Sequence, residues 1–301
     1  MLDLIIIGAG PAGITASVYA ARKKINFIVL TLDIGGQAIW SSEVENYTGH
    51  QLITGAELAA KFEQHMRQYK VTVCENEPAI MVEKAADFFE IKTAKSSYQA
   101  RTVIIASGKR SRELKVPGEK EFKNKGLTYC ATCDGPLFAG KDVAVIGGGN
   151  SALDAALQLI PIVPKVYIIN QAAVLSGDAI MRQKVENADN VVVLNGTIVS
   201  AVLGNKMVTG IKVKQNNHEQ EIPVQGVFVE IGLFPNSDFA PLVKKNDLGE
   251  IEVDCRNSTN VEGVFAAGDV TTVPEKQIII AAGEGAKAAL SAFKYLSRHQ
   301  F

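Results

Sequence analysis

Net charge is nearly absent: 31 basic side chains stand against 32 acidic ones. That removes the global positive field on which nucleic-acid or anionic-membrane binding depends, so neither partner is expected. No stretch approaches the roughly 18 consecutive apolar residues that a membrane span needs. The first apolar run, Leu4 to Ile7, meets a glycine at once and has no basic leader, so it reads as a strand and not as a signal peptide. A cytoplasmic location is the expectation. Cysteine is scarce too, with four in 301 residues. So few, in a reducing compartment, exclude a disulfide framework and point any disulfide that forms toward catalysis. Two of them make a single CxxC, Cys130 and Cys133; Cys74 and Cys255 stand alone in strand-like contexts and read as small core residues. With no second CxxC and no HxxxH, the four ligands of a structural zinc are missing, and no metal is expected. Low-complexity tracts and solenoid periods are absent as well.

What is present is a packed, enzyme-like composition, 47% hydrophobic and 21% charged. The length suits two domains. LDLIIIGAGPAGITASVYAARK followed by NFIVLTL reads as strand, glycine turn, helix and strand, and KDVAVIGGGNSALDAALQLI followed by KVYIIN repeats that order. The expected fold is therefore α/β, with two Rossmann-like dinucleotide-binding domains. Because GVFAAGDV and a long small-residue helix return at the end, the second domain is expected to be inserted into the first. The boundaries are placed at 1–112 with 242–301 for the outer domain and 113–241 for the inserted one, marked by Pro117-Gly118 and by Pro235 and Pro241.

In the first glycine turn, Gly8 permits the tight turn, Gly10 lets the backbone approach a pyrophosphate, and Gly13 allows helix-on-strand packing; Pro11 and Ala12 open the helix. Thr31 stands where an acidic ribose ligand is usual, and its hydroxyl can still bond a ribose; Asp33 follows two residues later. The second turn has Gly147, Gly149 and Ala152 in GxGxxA form and could hold a nicotinamide nucleotide or be an inherited fold element. No arginine lies near Asn170, at the end of the following strand, so the 2′-phosphate of NADPH is disfavoured. An acidic residue for the free hydroxyl of NADH is missing too, leaving Asn170 as its substitute.

Together, GAGPAG, GGQ at 35–37, VENYTG at 44–49, IIASG at 104–108, CATCDG at 130–135, GGGNSA and GVFAAGDV, in that order, resemble the low-molecular-weight thioredoxin reductases, a family of FAD-dependent pyridine nucleotide-disulfide oxidoreductases. GPLF after the cysteines and TTVPEKQIIIAAGEGAKAALSAF resemble the flavoprotein branch of alkyl hydroperoxide reductases. Loss of the basic NADPH motif resembles the ferredoxin-dependent flavin thioredoxin reductases. The resemblance implies FAD in the outer domain, with Gly36, Gln37, Asn46 and Gly108 at the cofactor, Gly268 and Asp269 on the ribitol, and Gln277 near the ring. Trp40 and Tyr47 flank these segments and either shape the flavin edge or simply pack.

By the same resemblance Cys133 faces the flavin, Cys130 attacks a protein disulfide, and Asp134 exchanges the proton each thiol step requires. It further implies a homodimer and a swing of the inserted domain on its linkers. The alkyl hydroperoxide branch carries an additional N-terminal module with its own CxxC; this sequence opens at its first strand, so a separate thioredoxin-like carrier is the expected client. NADH or reduced ferredoxin is the expected donor. Seven basic against three acidic residues between Lys109 and Lys125 either steer an acidic thioredoxin or ferredoxin or form an ordinary solvated loop. A flavin-bearing redox sensor and a dithiol oxidase are the alternatives.

Overall fold

A computed structural model describes residues 1–41, 44–216 and 218–299. The chain opens with β1 (Leu2–Ala9), α1 (Pro11–Arg22) and β2 (Phe27–Ile34). Leu4, Ile5 and Ile6 are wholly buried, as a strand covered on both faces requires. Proline at the first position of α1 sacrifices no hydrogen bond, because that N–H has no intrahelical partner. A short 3-10 turn (Gly36–Trp40) precedes α2 (Gly55–Gln68), which Thr54 and Glu57 start with a reciprocal capping box. Then come β3 (Thr72–Cys74), β4 (Ala79–Lys84), β5 (Phe89–Thr93), β6 (Ser97–Ile105) and β7 (Lys109–Ser111).

Next follow α3 (Glu119–Phe122), β8 (Leu127–Thr128), α4 (Ala131–Asp134), β9 (Val143–Ile146), α5 (Asn150–Leu159), β10 (Val166–Ile169), α6 (Ala179–Glu186) and β11 (Val191–Leu194). An antiparallel sheet of β12 (Thr197–Gly204), β13 (Val208–Gln215) and β14 (His218–Pro223) leads to β15 (Gly226–Val229). The chain ends with β16 (Leu233–Pro235), which pairs with β7, then β17 (Val264–Ala266) and α7 (Ile278–Arg298).

Two compact units result. The first comprises Met1–Trp40, Val44–Arg110 and Phe234 onward; the second is Ser111–Leu233. In the first, the order is β3-β2-β1-β6-β5-β4, with β17 sharing the outer edge of β6 beyond β5. The strands β3, β2, β1, β6 and β17 are parallel, and one face of the sheet packs on α1 and α7. In the second, β11-β10-β9-β15-β8 are all parallel, with α5 against one face and the β12–β14 sheet against the other. The α/β class with two Rossmann-like units, the second interrupting the first, is the observed architecture.

The return crossing lies at 233/234, eight residues before the expected 241/242. The segment in between belongs to the first unit: Phe239 O accepts from Val82 N–H, and Ala240 is fully buried in that unit's core. Cys255 corrects a second expectation. It is exposed in a turn held by the Asp254 carboxylate, which accepts from the N–H groups of Arg256 and Ser258; Cys74 is partly buried against the core. Among the described residues, no helix is long and apolar enough to cross a membrane.

Candidate functional site: two glycine turns and a disulfide

In the first unit, β1 ends in a turn closed by contact. A methyl on Gly13 would sit 1.9 Å from Gly8 O, and one on Gly8 2.4 Å from Ala106 O. Beside them Gly10, the extended N-cap of α1, faces open space, and no side chain caps the helix. Gly36, at a positive φ of 56°, brings the GGQ turn against it: its missing Cβ would lie 3.3 Å from Gly10 Cα. Uncapped N–H groups at a helix start, walled by backbone without side chains, suit a pyrophosphate.

The N-terminus of α7 is likewise uncapped at Gln277, whose Oε1 accepts from Asn46 Nδ2 at 3.1 Å. Gln37 Nε2 donates to Lys109 O. Gly108, at a φ of 64°, accepts from Asn236 N–H at its carbonyl. Gly268 lies over Ala12, and its N–H donates to Glu284. Burial pushes the Asp269 carboxyl up, against the opposing charges of Lys276 and Lys109. A half-buried carboxylate of that kind gains from hydroxyl donors. Of these, the uncapped, glycine-walled helix start at Gly10 and Gly36 has the chemistry that suits the phosphates of FAD.

Thr31 does not join them. It is buried, its hydroxyl donates to Asp33 O at 2.5 Å and accepts from Ala9 N–H at 3.1 Å, so it fastens the end of β2 to β1. Asp33 beside it is exposed. The side chain of Trp40 lies outside the described residues. Tyr47 packs edge-on against Phe62 in a small cluster with Val44 and Leu58.

In the second unit Gly147, Gly149 and Ala152 form the expected turn. Gly149 is the uncapped N-cap of α5, and Ala152, fully buried, occupies the packing position. The loop after β10 bonds back to this turn: Ser176 N–H donates to Gly148 O at 2.8 Å, and Asp178 N–H to Asn150 Oδ1 at 2.7 Å. Asn170 is committed as well. Its amide donates to Ala172 O and Asn195 Oδ1, and its Oδ1 accepts from Ala172 N–H, so it is a structural clamp and not a ribose ligand.

Cys130 and Cys133 are joined in a disulfide, and Cys133 N–H donates to Cys130 Sγ at 3.2 Å. Asp134 is buried beneath it. Thr128 Oγ1 donates to Asp134 Oδ2 and accepts from Cys130 N–H, so one hydroxyl ties the carboxylate to the disulfide turn. Next to Cys130, Tyr129 donates to buried Glu119, which also accepts from the N–H groups of Leu114 and Lys115. Burial and the Glu119 bond hold the phenol well above its usual pKa. Lys109 leaves the basic stretch: it is buried and paired with Glu250 in the first unit. Sequence reasoning missed Glu230. This partly buried carboxyl just beyond β15 is pushed up to about 8 by burial, with the Ala131 N–H opposing and the Asp154 charge adding to the rise.

Residues 2–285 match the family model described as "Pyridine nucleotide-disulphide oxidoreductase". The chain is 44% identical over 303 residues to an alkyl hydroperoxide reductase component of Pseudomonas putida, a match covering 98% of this chain and 58% of that one. It is 42% identical over 301 residues to a protein of Bacillus subtilis named NADH dehydrogenase, covering 99% and 59%. The chain thus spans under two thirds of the length of these curated relatives. Thioredoxin reductase from Streptococcus pyogenes superimposes with a TM-score of 0.93 at 32% identity, covering 99% of both chains.

Proposed function

The chain belongs to the pyridine nucleotide-disulphide oxidoreductase family, in its FAD-dependent, thioredoxin-reductase-like class, and from that premise we propose that it reduces the disulfide of a thioredoxin-like protein through Cys130 and Cys133. The observation that carries this reading is the Cys130–Cys133 disulfide with Asp134 fastened to it through Thr128. When bound, FAD supplies a two-electron carrier between a nucleotide or protein donor and sulfur. Gly10, Gly36, Gln37, Asn46, Asp269 and Gln277 would hold it.

Once the pair is reduced, the Cys130 thiolate attacks one sulfur of the client disulfide; a mixed disulfide forms and the other client sulfur leaves. Cys133 then attacks Cys130 Sγ, which releases the second client thiolate and restores the Cys130–Cys133 bond. Two protons pass from the enzyme's thiols to the client's. Asp134, adjacent and buried, is the group placed to hold one of them in transit.

The proposed donor is NADH. A relative's name supports it, and residues 171–178, which follow Asn170 in the chain, contain no arginine to take the extra phosphate of NADPH. Reduced ferredoxin is the second reading, favoured by the commitment of Asn170 and the Gly148 carbonyl to the fold. Anaerobic mixing of the yellow protein with NADPH, NADH or reduced ferredoxin, followed by flavin bleaching, separates these donors. Cys130→Ser tests the route: carrier reduction is lost while the flavin still bleaches. Loss of bleaching, or retained carrier reduction, overturns it.

A further inference from the structure

The buried side of α7 is a stripe of small residues, Ala281, Ala282, Gly285, Ala288 and Ala289 among them, interrupted by Glu284, which is only 4% exposed. Burying a carboxyl is unfavourable unless donors meet it. The donors that Glu284 meets lie on the turn after β17. The bonding of that strand to β6 ends with Ala267 N–H on Ile105 O. The next N–H, that of Gly268, goes instead to Glu284 Oε2 at 2.7 Å. Thr271, fully buried, closes the turn from its far end. Its N–H and its hydroxyl both donate to Gly268 O, at 2.9 and 2.8 Å, and the hydroxyl lies 3.4 Å from Glu284 Oε2. Asp269 is the first residue inside this turn. We infer that Glu284 is a positioning residue for Asp269, holding the Gly268–Thr271 turn so that the Asp269 carboxylate meets the sugar-alcohol chain of FAD. This rests on Asp269 helping to hold FAD, as proposed above.

Packing and bonding fix different things here. Gly268, at a φ of 77°, has no room for a side chain: a Cβ would lie 3.0 Å from Ala12 Cβ and 3.4 Å from Ala281 Cβ. The turn therefore rests on the first turns of α1 and α7, which sets where it lies. The bond to Glu284 sets how the Gly268 peptide is rotated, because a buried N–H must point at its acceptor. Lys276 adds a second hold, its Nζ donating to Thr271 O at 2.6 Å. Burial pushes the Glu284 carboxyl up, opposed by the Gly268 bond, the Lys287 charge, the Thr271 bond and the Lys276 charge. The turn takes an acceptor from Glu284, and glutamine keeps that acceptor whereas leucine does not. Gly285, next in sequence, meets another partner, Ala12 O, and so bears on the phosphate end of the site.

The test titrates the full chain, freed of flavin, by isothermal titration calorimetry with FAD and with ADP, which carries phosphates but neither ribitol nor ring. Glu284→Leu should weaken FAD about tenfold, the effect of one buried hydrogen bond, and leave ADP unchanged. Glu284→Gln should keep both affinities. Gly285→Ala is the packing control and should weaken both ligands. If Glu284→Leu weakens ADP as much as FAD, or leaves FAD unweakened, the inference is overturned. A second arm needs FAD alone: combined with Asp269→Ala, Glu284→Leu should add less than about twofold, because the carboxylate it positions has gone. Additive losses overturn the inference. Should Glu284→Leu lose its melting transition, Thr271→Val decides by the same titrations. A severalfold loss confined to FAD is expected, and a loss shared with ADP, or no loss, overturns the proposal. A wild type that fails to bind FAD would remove the cofactor reading itself, whereas FAD binding untouched by Glu284→Leu would remove only the role of Glu284.

Discussion

At the scale of single residues, the side chains that matter are those whose polar atoms are held by named partners. Thr128 bridges Cys130 N–H and the Asp134 carboxylate, so Thr128→Val should release both. Carrier reduction should fall about tenfold, and Asp134→Asn should fall further, by the roughly 10²–10⁴ typical of a lost general acid, with flavin bleaching by the donor unchanged in both. Stopped-flow absorbance separates the two half-reactions. Glu250 poses a pH question. Burial pushes its carboxyl up, yet the Lys109 and Asn246 hydrogen bonds and the Lys276 charge bring it below its usual value. A carboxylate depressed in the fold contributes stability above its unfolded pKa of about 4.3 and loses it as pH falls through the folded value. Glu250→Gln leaves Lys109 and Lys276 facing each other without their shared carboxylate. Its expected cost is about 3–5 kcal/mol at neutral pH, with a flatter acid limb in the melting temperature. A variant that melts like the wild type at pH 7 would show that the pair contributes nothing.

Among the elements, α1 and α7 approach so closely that one backbone meets the other. A methyl on Gly285 would lie 2.0 Å from Ala12 O. Gly285→Ala must part the helices and should cost about 1–3 kcal/mol, with weaker FAD retention, because Ala12 lies in the first turn of α1. Differential scanning fluorimetry and flavin release on dilution measure both effects. Close approaches of this kind are why so much of the fold was legible: where backbone touches backbone only glycine fits, and GAGPAG and GGGNSA record two such places in adjacent letters. What stayed illegible was decided by partners distant in sequence. Thr31 has the right chemistry for a ribose, but Ala9, twenty-two residues earlier, claims its hydroxyl. Asn170 looked like a ligand until Asn195 took its amide. Glu230 carried no motif at all, since what sets it apart is burial just beyond the end of β15. The return crossing was misplaced because Pro241 is a conspicuous letter, whereas the bond from Val82 N–H to Phe239 O has no letter of its own.

For the whole molecule, two glycine turns of the same form have unequal surroundings, and that inequality predicts where each ligand leaves its mark. Among the described residues, every hydrophobic cluster lies within one unit. The first turn is open at Gly10, flanked by GGQ and by the uncapped start of α7, whereas the second is bonded to its own 172–178 loop. A ligand that binds only the native state stabilises it by about 2.7 kcal/mol at a hundred times its Kd. For FAD that stabilisation should appear in the first unit, as a rise of about 5–10 °C in its melting when the apoprotein is loaded. Hydrogen exchange then maps it. Protection should increase at the start of α1, through Gly36–Trp40, around Gly268 and at the start of α7, and stay unchanged at 147–152. NADH, if it is the donor, should reverse the pattern by protecting 147–152 and the loop that must make room for it. If FAD protected 147–152 instead, the assignment of cofactors to the two turns would be the wrong way round. If NADH protected neither turn while ferredoxin still bleached the flavin, the second turn would be a fold element without a ligand, held shut by Ser176 and Asp178.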